Sequence, residues 1–468
     1  MGARPSVRVR GAGRDAQGRR CAHCARAGRR RSSRVPAPHP APEPLKRELG
    51  RIALALLALN SMIGAGIFGL PADAARLTGL FSPVLFLLCG LLMATLMLSF
   101  AQAASYFQGT GGPILYAGTA FGPFVGFQTG WLLYAGRATA IAANANLFAT
   151  YLGTYVPAVN DGLGRALVIV SLGVLFAVVN VTGVKQGMGA ILAISVAKFV
   201  PLLVFVLVGL THVQPALFAD TTVPSIGTIG EAALVVFYAF VGFEGALVPA
   251  GESRDPRRDL PKALLVTALG GTILYVGIQV VTVALTPDLA RSTRPLADAA
   301  AVFMGTGGVA MLSFAAMASI LGNYASSVLA APRMTYALAR EGSLPAAFGT
   351  VHARWQTPHV SILAFIVLGV SLGVSGTFTQ LAVLSALTRL IGYTTSLAAL
   401  PRLARRFGHE AQAMHLPGGF TIPAAGLAIC TWLMVQVRAE AVWKTALLVA
   451  LGTLLYVLAR RSASPASR

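Results

Sequence analysis

Four ionisable side chains fall inside long apolar stretches of this sequence, and they are the residues best placed to do chemistry. They are Arg137, Lys198, Glu244 and Arg389. An unpaired charge at the centre of a lipid bilayer costs about 3 kcal/mol or more, so such residues mark transport pathways, proton relays or paired structural charges. Each of the four is therefore expected to have a partner or to face a polar cavity.

Two apolar segments also carry residues that interrupt helices. In MIGAGIFGLP, residues 62–71, Gly64 precedes Pro71 by seven positions, and in VVFYAFVGFEGALVPAGES the same spacing separates Gly242 from Pro249. Paired interruptions of this kind, at matching places in two halves of a chain, are the best sequence indication of a binding site at the membrane midplane. Glycine and proline are also common where membrane helices pack closely, so one such segment alone would be weak evidence.

The interruptions predict a specific chemistry. At Gly64, Ala65 and Gly66 the backbone N–H groups would lose their helical partners and point at one spot, together with the positive end of a half-helix dipole, which attracts a carboxylate. In the second interruption, at residues 240–243, freed carbonyls would accept hydrogen bonds from an ammonium group. A zwitterion fits between the two.

Residues for catalysis or metal binding are not grouped in the sequence. None of the seven histidines falls in the middle of an apolar segment, and we find no paired carboxylates or phosphate-binding Gly-Lys-Ser loop. The motif CAHC supplies Cys21, His23 and Cys24, but a structural zinc needs four ligands and no second pair lies nearby. We therefore predict no enzyme activity, no metal site, no cofactor and no nucleic-acid partner. Cys89 and Cys430 are expected to be small packing residues.

The elements that position these residues are helices in a membrane. Of 468 residues, 55% are hydrophobic and 11% charged, with a mean hydropathy of +0.70, against about 25% charged residues in soluble domains. Because lipid offers no hydrogen bonds to the backbone, we predict an all-α polytopic membrane protein. Twelve segments are long and apolar enough to span a bilayer, at 52–70, 82–105, 122–153, 165–184, 188–211, 228–250, 263–286, 308–337, 359–375, 379–403, 420–437 and 441–459.

Basic residues predict the orientation. If the loops alternate between two sides, the side that holds both termini carries most of the Arg and Lys, which places the termini in the cytoplasm. Residues 1–50 form a separate basic tail, rich in Gly, Ala, Ser and Pro, that lacks the apolar content to fold. It is expected to be disordered, to act as an electrostatic retention signal or attract anionic lipid, or to reflect a start codon placed too far upstream.

Several stretches resemble a known family. MIGAGIFGLPA, FYAFVGFEG with ESRDPRRDLPKAL after it, and APRMTYALAREGSLPAAF are similar to the first, sixth and eighth helices of permeases of the amino acid/polyamine/organocation (APC) superfamily. The resemblance implies a LeuT-type fold in a permease domain of residues 51–461. In it, repeats 51–211 and 228–403 form a 5+5 inverted pair with broken helices 1 and 6, helices in 420–459 are peripheral, and residues 462–468 form a short tail.

The resemblance also implies a substrate site. In similar permeases the substrate carboxylate meets backbone amides at the positions of Gly64, Ala65 and Gly66. The α-amino group would meet carbonyls near Met62, Tyr238 and Val241, and Tyr238 occupies the place of an aromatic gate. Because some relatives have serine where this chain has Ala65, one hydroxyl contact to the carboxylate would be absent.

Lys198, in SVAKFVPLL, aligns with a fifth-helix lysine that replaces a bound sodium ion in some proton-coupled members. Burial disfavours the charged form of a lysine, so Lys198 could exchange the coupling proton, or it could remain a fixed cation. The competing interpretations are a lysine that reaches to the membrane surface and a permanently paired one.

Arg137 is less expected in this family. Helical spacing places it on the face that lines the side-chain pocket in similar permeases, where it would disfavour cationic substrates and could bind a side-chain carboxylate. A structural pair with Glu244, or a contact to a helix C-terminus, explains it equally well. The face comprises Arg137, Ile141, Asn144 and Phe148.

The remaining charges are expected to act in gating or structure. Glu244 could fix the unwound backbone, pair with a buried cation or take a proton, and the structural role is favoured. Glu252, in ESRDPRRDLP, and Arg333 are expected at the cytoplasmic face, where ion pairs would break and form again as the bundle moves. Arg389 is expected to anchor structure.

Together these features predict a plasma-membrane transporter of amino acids that works by alternating access with proton coupling. An exchanger of the same fold, or a sensor that binds an amino acid without transporting it, are the alternatives. The expected partners are an amino acid substrate, protons and the lipid bilayer.

Overall fold

The computed structural model describes residues 51–107, 112–183, 188–247, 256–409, 414–416 and 418–462. The predictions made for residues 1–50, including Cys21, His23 and Cys24, lie outside these ranges. So do those for Glu252 and for residues 463–468.

The described residues form helices and turns, with no β-strand among them. Fourteen α-helices occur in these ranges, joined in places by short 3₁₀ helices, of which Phe243–Ala246 matters for the site. The α-helices are α1 (Arg51–Met62), α2 (Gly66–Thr78), α3 (Ser82–Ser105), α4 (Gly112–Phe121), α5 (Pro123–Leu152), α6 (Gly162–Val181), α7 (Met188–Leu210), α8 (Ile226–Phe240), α9 (Pro256–Leu285), α10 (Pro295–Arg340), α11 (His359–Ser375), α12 (Phe378–Phe407), α13 (Thr421–Val435) and α14 (Ala439–Ser462).

Eight helical segments in the described ranges are long and apolar enough to cross a membrane, and α11 and α13 are shorter apolar helices. The chain is therefore an all-helical, polytopic membrane protein, as its composition predicts. The count of twelve spans stays a prediction. The eight segments are Gly66–Ser105, Gly162–Val181, Ala193–Leu210, Ile226–Gly245, Asp259–Leu285, Pro295–Arg340, Phe378–Phe407 and Ala439–Ser462.

Helix α5 is the central helix of the bundle. Nearly all of its residues from Gly126 to Tyr151 are buried, and it packs against α4, α6, α10, α11, α12 and α14. A helix enclosed by other helices does not need a continuous lipid-facing surface, so it can carry polar side chains at low cost. This explains how α5 accommodates Arg137, Asn144 and Asn146.

Both predicted interruptions are present in the structure. The first predicted span is two helices, since α1 ends at Met62 and α2 begins at Gly66. Helix α8 ends at Phe240, and Gly242 then adopts a φ of 114° before the chain resumes as a 3₁₀ turn. A third irregularity lies in α10, where Gly305 has a φ of 60° and a ψ of −152°, so Pro295–Arg340 is two helices joined at a kink, and the predicted span 308–337 lies in the second of them.

The two interruptions pack directly against each other. A Cβ atom on Gly66 would lie 2.6 Å from the Cα of Ala239, and one on Gly242 would lie 2.5 Å from the carbonyl oxygen of Ser61. Both distances are shorter than any normal contact, so each glycine is required for the approach of two backbones. The broken ends of α1 and α8 are thereby held together.

We expect Gly242→Ala to lower the stability of the folded protein and to disrupt the contact between the two interrupted helices. Its left-handed backbone alone costs an alanine roughly 1–3 kcal/mol, and the new methyl group would overlap the Ser61 carbonyl. Thermal unfolding in detergent measures the loss. The matched control is Gly270→Ala in α9, where nothing lies within 4 Å of the new Cβ, and this variant should be as stable as the parent or slightly more so. Equal stability of the two variants would contradict the prediction.

Candidate functional site

A cavity lies where the two interrupted helices meet. All seven residues predicted from the sequence to bind substrate line it, namely Met62, Gly64, Ala65, Gly66, Arg137, Tyr238 and Val241. The structure therefore brings these residues together, while their role in binding stays a prediction. The other lining residues are Ser61, Ala140, Asn144, Gly242, Asn323, Ser326, Ser327 and Arg389.

The break between α1 and α2 offers hydrogen-bond donors to this cavity. Among the described residues, the N–H groups of Gly64 and Ala65 have no acceptor. Gly66 is the first residue of α2, where helical N–H groups lack intrahelical partners, and no side chain caps this end. The site thus presents free donors and the positive end of a helix dipole, which together suit an anionic group.

The break after α8 offers acceptors. In a continuous helix the N–H of Gly242 would bond to the carbonyl of Tyr238, but here it donates to Glu244 Oε2 at 2.9 Å. Tyr275 donates to the carbonyl of Ala239 at 3.0 Å. The carbonyls of Tyr238 and Val241 accept no hydrogen bond within the described part of the chain, so they are available to an ammonium group.

Lys198 packs against the break between α1 and α2. Its side chain is 1% exposed, and its Nζ donates to the carbonyls of Asn60 at 2.6 Å and Ile63 at 2.8 Å. These bonds satisfy two carbonyls at the end of α1 that have no helical partner. The structure excludes a lysine that reaches to the membrane surface, and it leaves a fixed cation and an exchanging one as the interpretations.

Helix α10 supplies contacts to the same break that were not predicted from the sequence. Ser319 Oγ donates to the carbonyls of Ile63 at 3.2 Å and Gly64 at 3.4 Å, and Asn323 Nδ2 donates to the carbonyl of Ser61 at 3.2 Å. The signal was present in SILGNYASS, because Ser319 and Asn323 are four residues apart and so share a helix face.

Asn323 also links α10 to the side-chain end of the cavity. Its Oδ1 accepts a hydrogen bond from Asn144 Nδ2 at 2.8 Å, and the hydroxyl of Tyr238 lies 3.3 Å from Asn144 Oδ1. The two asparagines therefore satisfy each other and position the ring of Tyr238.

Glu244 is the centre of a buried charge cluster. Its Oε1 accepts a hydrogen bond from Arg389, and its Oε2 accepts from the Tyr393 hydroxyl at 2.7 Å in addition to the N–H of Gly242. Arg137 Nη2 lies 3.9 Å from Oε1, at ion-pair distance and beyond hydrogen-bond distance. Glu244 thus hydrogen-bonds to the unwound backbone at Gly242 and pairs with the guanidinium of Arg389. Both contacts belong to roles that were predicted for it.

Phe378, the first residue of α12, packs beside one end of the site. Its ring lies 6.2 Å from that of Tyr238 in an edge-to-face arrangement, and it packs so closely on Gly69 that a Cβ there would lie 2.5 Å from the ring. Beside it, Thr379 donates a hydrogen bond to Asp73 Oδ2 at 2.9 Å. Tyr238 therefore lies next to a contact between α2 and α12, and its place at a gate stays a prediction.

The comparison with known proteins decides the family. A sequence model of the family described as amino acid permease matches residues 49–453. The chain belongs to this family.

The permease is 24% identical to the branched-chain amino acid permease BcaP of Bacillus subtilis over 441 residues, which cover 90% of this chain and 94% of that protein. It is 25% identical to the serine/threonine exchanger SteT of the same organism, covering 80% and 87%, and 30% identical to the uncharacterized transporter Rv1999c of Mycobacterium tuberculosis, covering 69% and 72%.

The family confirms the resemblance seen in the sequence. The permease is a multi-pass membrane protein, and both its family and these relatives are permeases and transporters, not enzymes. At identities of 24% to 30%, the details of this chain's own cavity become the guide to its substrate.

Arg333 is placed away from the cavity. Its side chain is exposed on α10, and its guanidinium donates to the carbonyl of Leu329 one turn earlier. The ion pairs predicted around it involve the segment that contains Glu252, which lies outside the described residues. Its gating role therefore stays a prediction.

Proposed function

We propose that this permease carries α-amino acids across the plasma membrane by alternating access, coupled to protons. The observation that carries the proposal is the pairing of free donors at Gly64 and Ala65 with free acceptors at Tyr238 and Val241 around one cavity. This arrangement recognises the carboxylate and ammonium groups that all α-amino acids share. The names of two relatives, a branched-chain amino acid permease and a serine/threonine exchanger, support the same class of substrate.

The architecture that suits this function is a LeuT-type bundle of twelve spans with both termini in the cytoplasm. In it, residues 51–211 and 228–403 form the inverted repeats, and the broken segments α1–α2 and α8 are corresponding elements. The mutual packing of the two breaks supports this assignment, since inverted repeats place their broken helices together at the midplane. In this orientation Phe378 closes the outer end, and Ser326 and Ser327 lie on the cytoplasmic side of the cavity.

Lys198 is the proposed coupling residue. A lysine held by two backbone carbonyls at the edge of the substrate site binds the broken helix more strongly when protonated than when neutral, because its hydrogen bonds are then charge-assisted. Loss of the proton would therefore change the shape of the carboxylate subsite, which links protonation to substrate binding.

Uptake by purified permease in liposomes tests the function. We expect a labelled neutral amino acid, such as leucine or serine, to accumulate when the outside is acidic and to stop accumulating when a protonophore removes the gradient. Gly270→Ala is the matched control that should behave as the parent. An exchanger would instead require amino acid inside the liposomes and ignore the proton gradient. Binding without uptake under any gradient would assign the chain as a sensor and contradict the proposal.

A further inference from the structure

The charges around the cavity do not cancel. Arg137 and Arg389 both line it, and the carboxylate of Glu244 lies between them. Among the described residues, no acidic side chain lines the cavity itself. The cluster therefore carries one excess positive charge before any substrate binds, in addition to the charge of Lys198 behind the first break.

The two arginines share Glu244 unequally. Arg389 is hydrogen-bonded to Oε1, and Oε2 is occupied by Gly242 and Tyr393. Arg137 approaches Oε1 only to 3.9 Å, which is beyond hydrogen-bond distance. Glu244 thus has its own set of donors without Arg137, whose guanidinium contributes charge to the pair but no hydrogen bond.

The neighbours of Arg137 do not use its donors either. Asn144, two turns along the same helix, has its amide bonded to Asn323, and its oxygen faces Tyr238. The residue one turn away on the cavity wall is Ala140, which leaves space in front of the guanidinium. With a side chain 13% exposed, Arg137 lies on the cavity wall, and its guanidinium makes no hydrogen bond to the described part of the chain.

A carboxylate is the ligand that matches a guanidinium on a cavity wall in both charge and geometry. A zwitterionic substrate leaves the excess charge in place, because its own charges sum to zero. A substrate with a second carboxylate removes it. A substrate with a cationic side chain would add a further positive charge, and repulsion between like charges is stronger in a protein site than in bulk water.

We propose that the permease prefers dicarboxylic amino acids, and that Arg137 binds their side-chain carboxylate while the α-carboxylate and α-amino group occupy the two helix breaks. This inference rests on the proposed function and names the substrate class of that same site. Arg137 is a specificity-determining residue in this proposal, and Arg389 remains the structural partner of Glu244.

Glutamate and glutamine form the sharpest pair of probes, because they have nearly the same shape and differ in side-chain charge. In competition against labelled uptake, we expect glutamate to bind more tightly than glutamine by on the order of 10- to 100-fold, the gain typical of a bidentate charged contact. Lysine should not compete. The thermal unfolding shift that each amino acid produces gives the same ranking on the unmodified protein without any transport.

Arg137→Gln should abolish the difference in affinity between glutamate and glutamine, so the measured quantity is the ratio of the two affinities within the same variant and not its absolute rate of uptake. Arg137→Lys should keep part of the preference, because a single ammonium replaces the charge but not the fork. The matched control is Arg291→Gln, which changes an arginine that is 84% exposed and should leave both substrates unaffected.

The outcomes separate the two proposals. Uptake of neutral amino acids with no advantage of glutamate over glutamine overturns the inference and leaves the proposed function intact. Equal loss of glutamate and glutamine uptake in Arg137→Gln would show that Arg137 acts on the common amino acid groups or on Glu244, which also overturns the inference. Absence of all amino acid uptake and binding contradicts the proposed function itself.

Discussion

Glu244→Gln is expected to reduce the stability of the folded permease by about 3–5 kcal/mol, the usual cost of removing one partner from a buried ion pair. The substitution keeps the shape of the side chain and removes its charge. Arg389, which is 4% exposed, would then be buried without a counter-ion, beside a second cation at Arg137. Thermal unfolding in detergent and the yield of folded protein measure the effect.

A second glutamate on the same segment of the chain is the matched control. Glu231, near the start of α8, pairs with Arg438, but its side chain is 37% exposed and that of Arg438 is 80% exposed. Because water screens such pairs, Glu231→Gln should cost less than about 1 kcal/mol. If both variants unfold at the same temperature, the cluster around Glu244 does not stabilise the broken end of α8, and its charges must serve another purpose.

Replacement of Lys198 is expected to have the largest effect on transport. Lys198→Met removes the charge and leaves the Asn60 carbonyl without its donor and the Ile63 carbonyl with only the Ser319 hydroxyl, at about 1–3 kcal/mol for an unsatisfied group. We expect uptake driven by a proton gradient to fall to the background of empty liposomes. Initial rates over a range of external pH measure the loss.

Lys198→Gln separates structure from proton coupling. Its amide can still donate to backbone carbonyls, but it cannot gain or lose a proton. If Lys198 carries the coupling proton, this variant should exchange labelled for unlabelled amino acid and show no stimulation by acid outside. Stimulation of the same size as in the parent would exclude Lys198 as the coupling residue and assign it to structure alone.

Much of the site could be predicted from the sequence because it is made of backbone. Glycine and proline interrupt a helix at their own positions, so the segments around Gly64 and Gly242 predict where helices α1 and α8 end. Their equal spacing to a following proline then paired two segments that are far apart in the chain. The structure places all seven predicted residues around one cavity for this reason.

The contacts that support the backbone were harder to foresee. Ser319 and Asn323 are ordinary small polar residues of a membrane helix, and only the approach of α10 to the first break gives them their roles. The helical segment from Pro295 to the kink at Gly305 was not predicted either, whereas the segment after the kink contains the predicted span 308–337. Such features depend on neighbours distant in sequence.

The partners of Glu244 show the same limit. The sequence indicated that each intramembrane charge needs a partner, but the choice between Arg137 and Arg389 depends on distances of about an ångström. Two arginines on different helices competed for one carboxylate, and the structure gives the hydrogen bond to Arg389. Spacing along a chain cannot decide between partners that the fold brings equally near.

The packing of Phe378 on Gly69 has a consequence for the rate of the proposed transport cycle. One aromatic ring resting on Gly69, with a single hydrogen bond beside it from Thr379 to Asp73, forms this contact. Phe378 does not line the cavity itself. Under the proposed alternating-access mechanism, the size of the residue at position 378 would therefore affect the rate at which this contact opens without changing which amino acids the cavity binds.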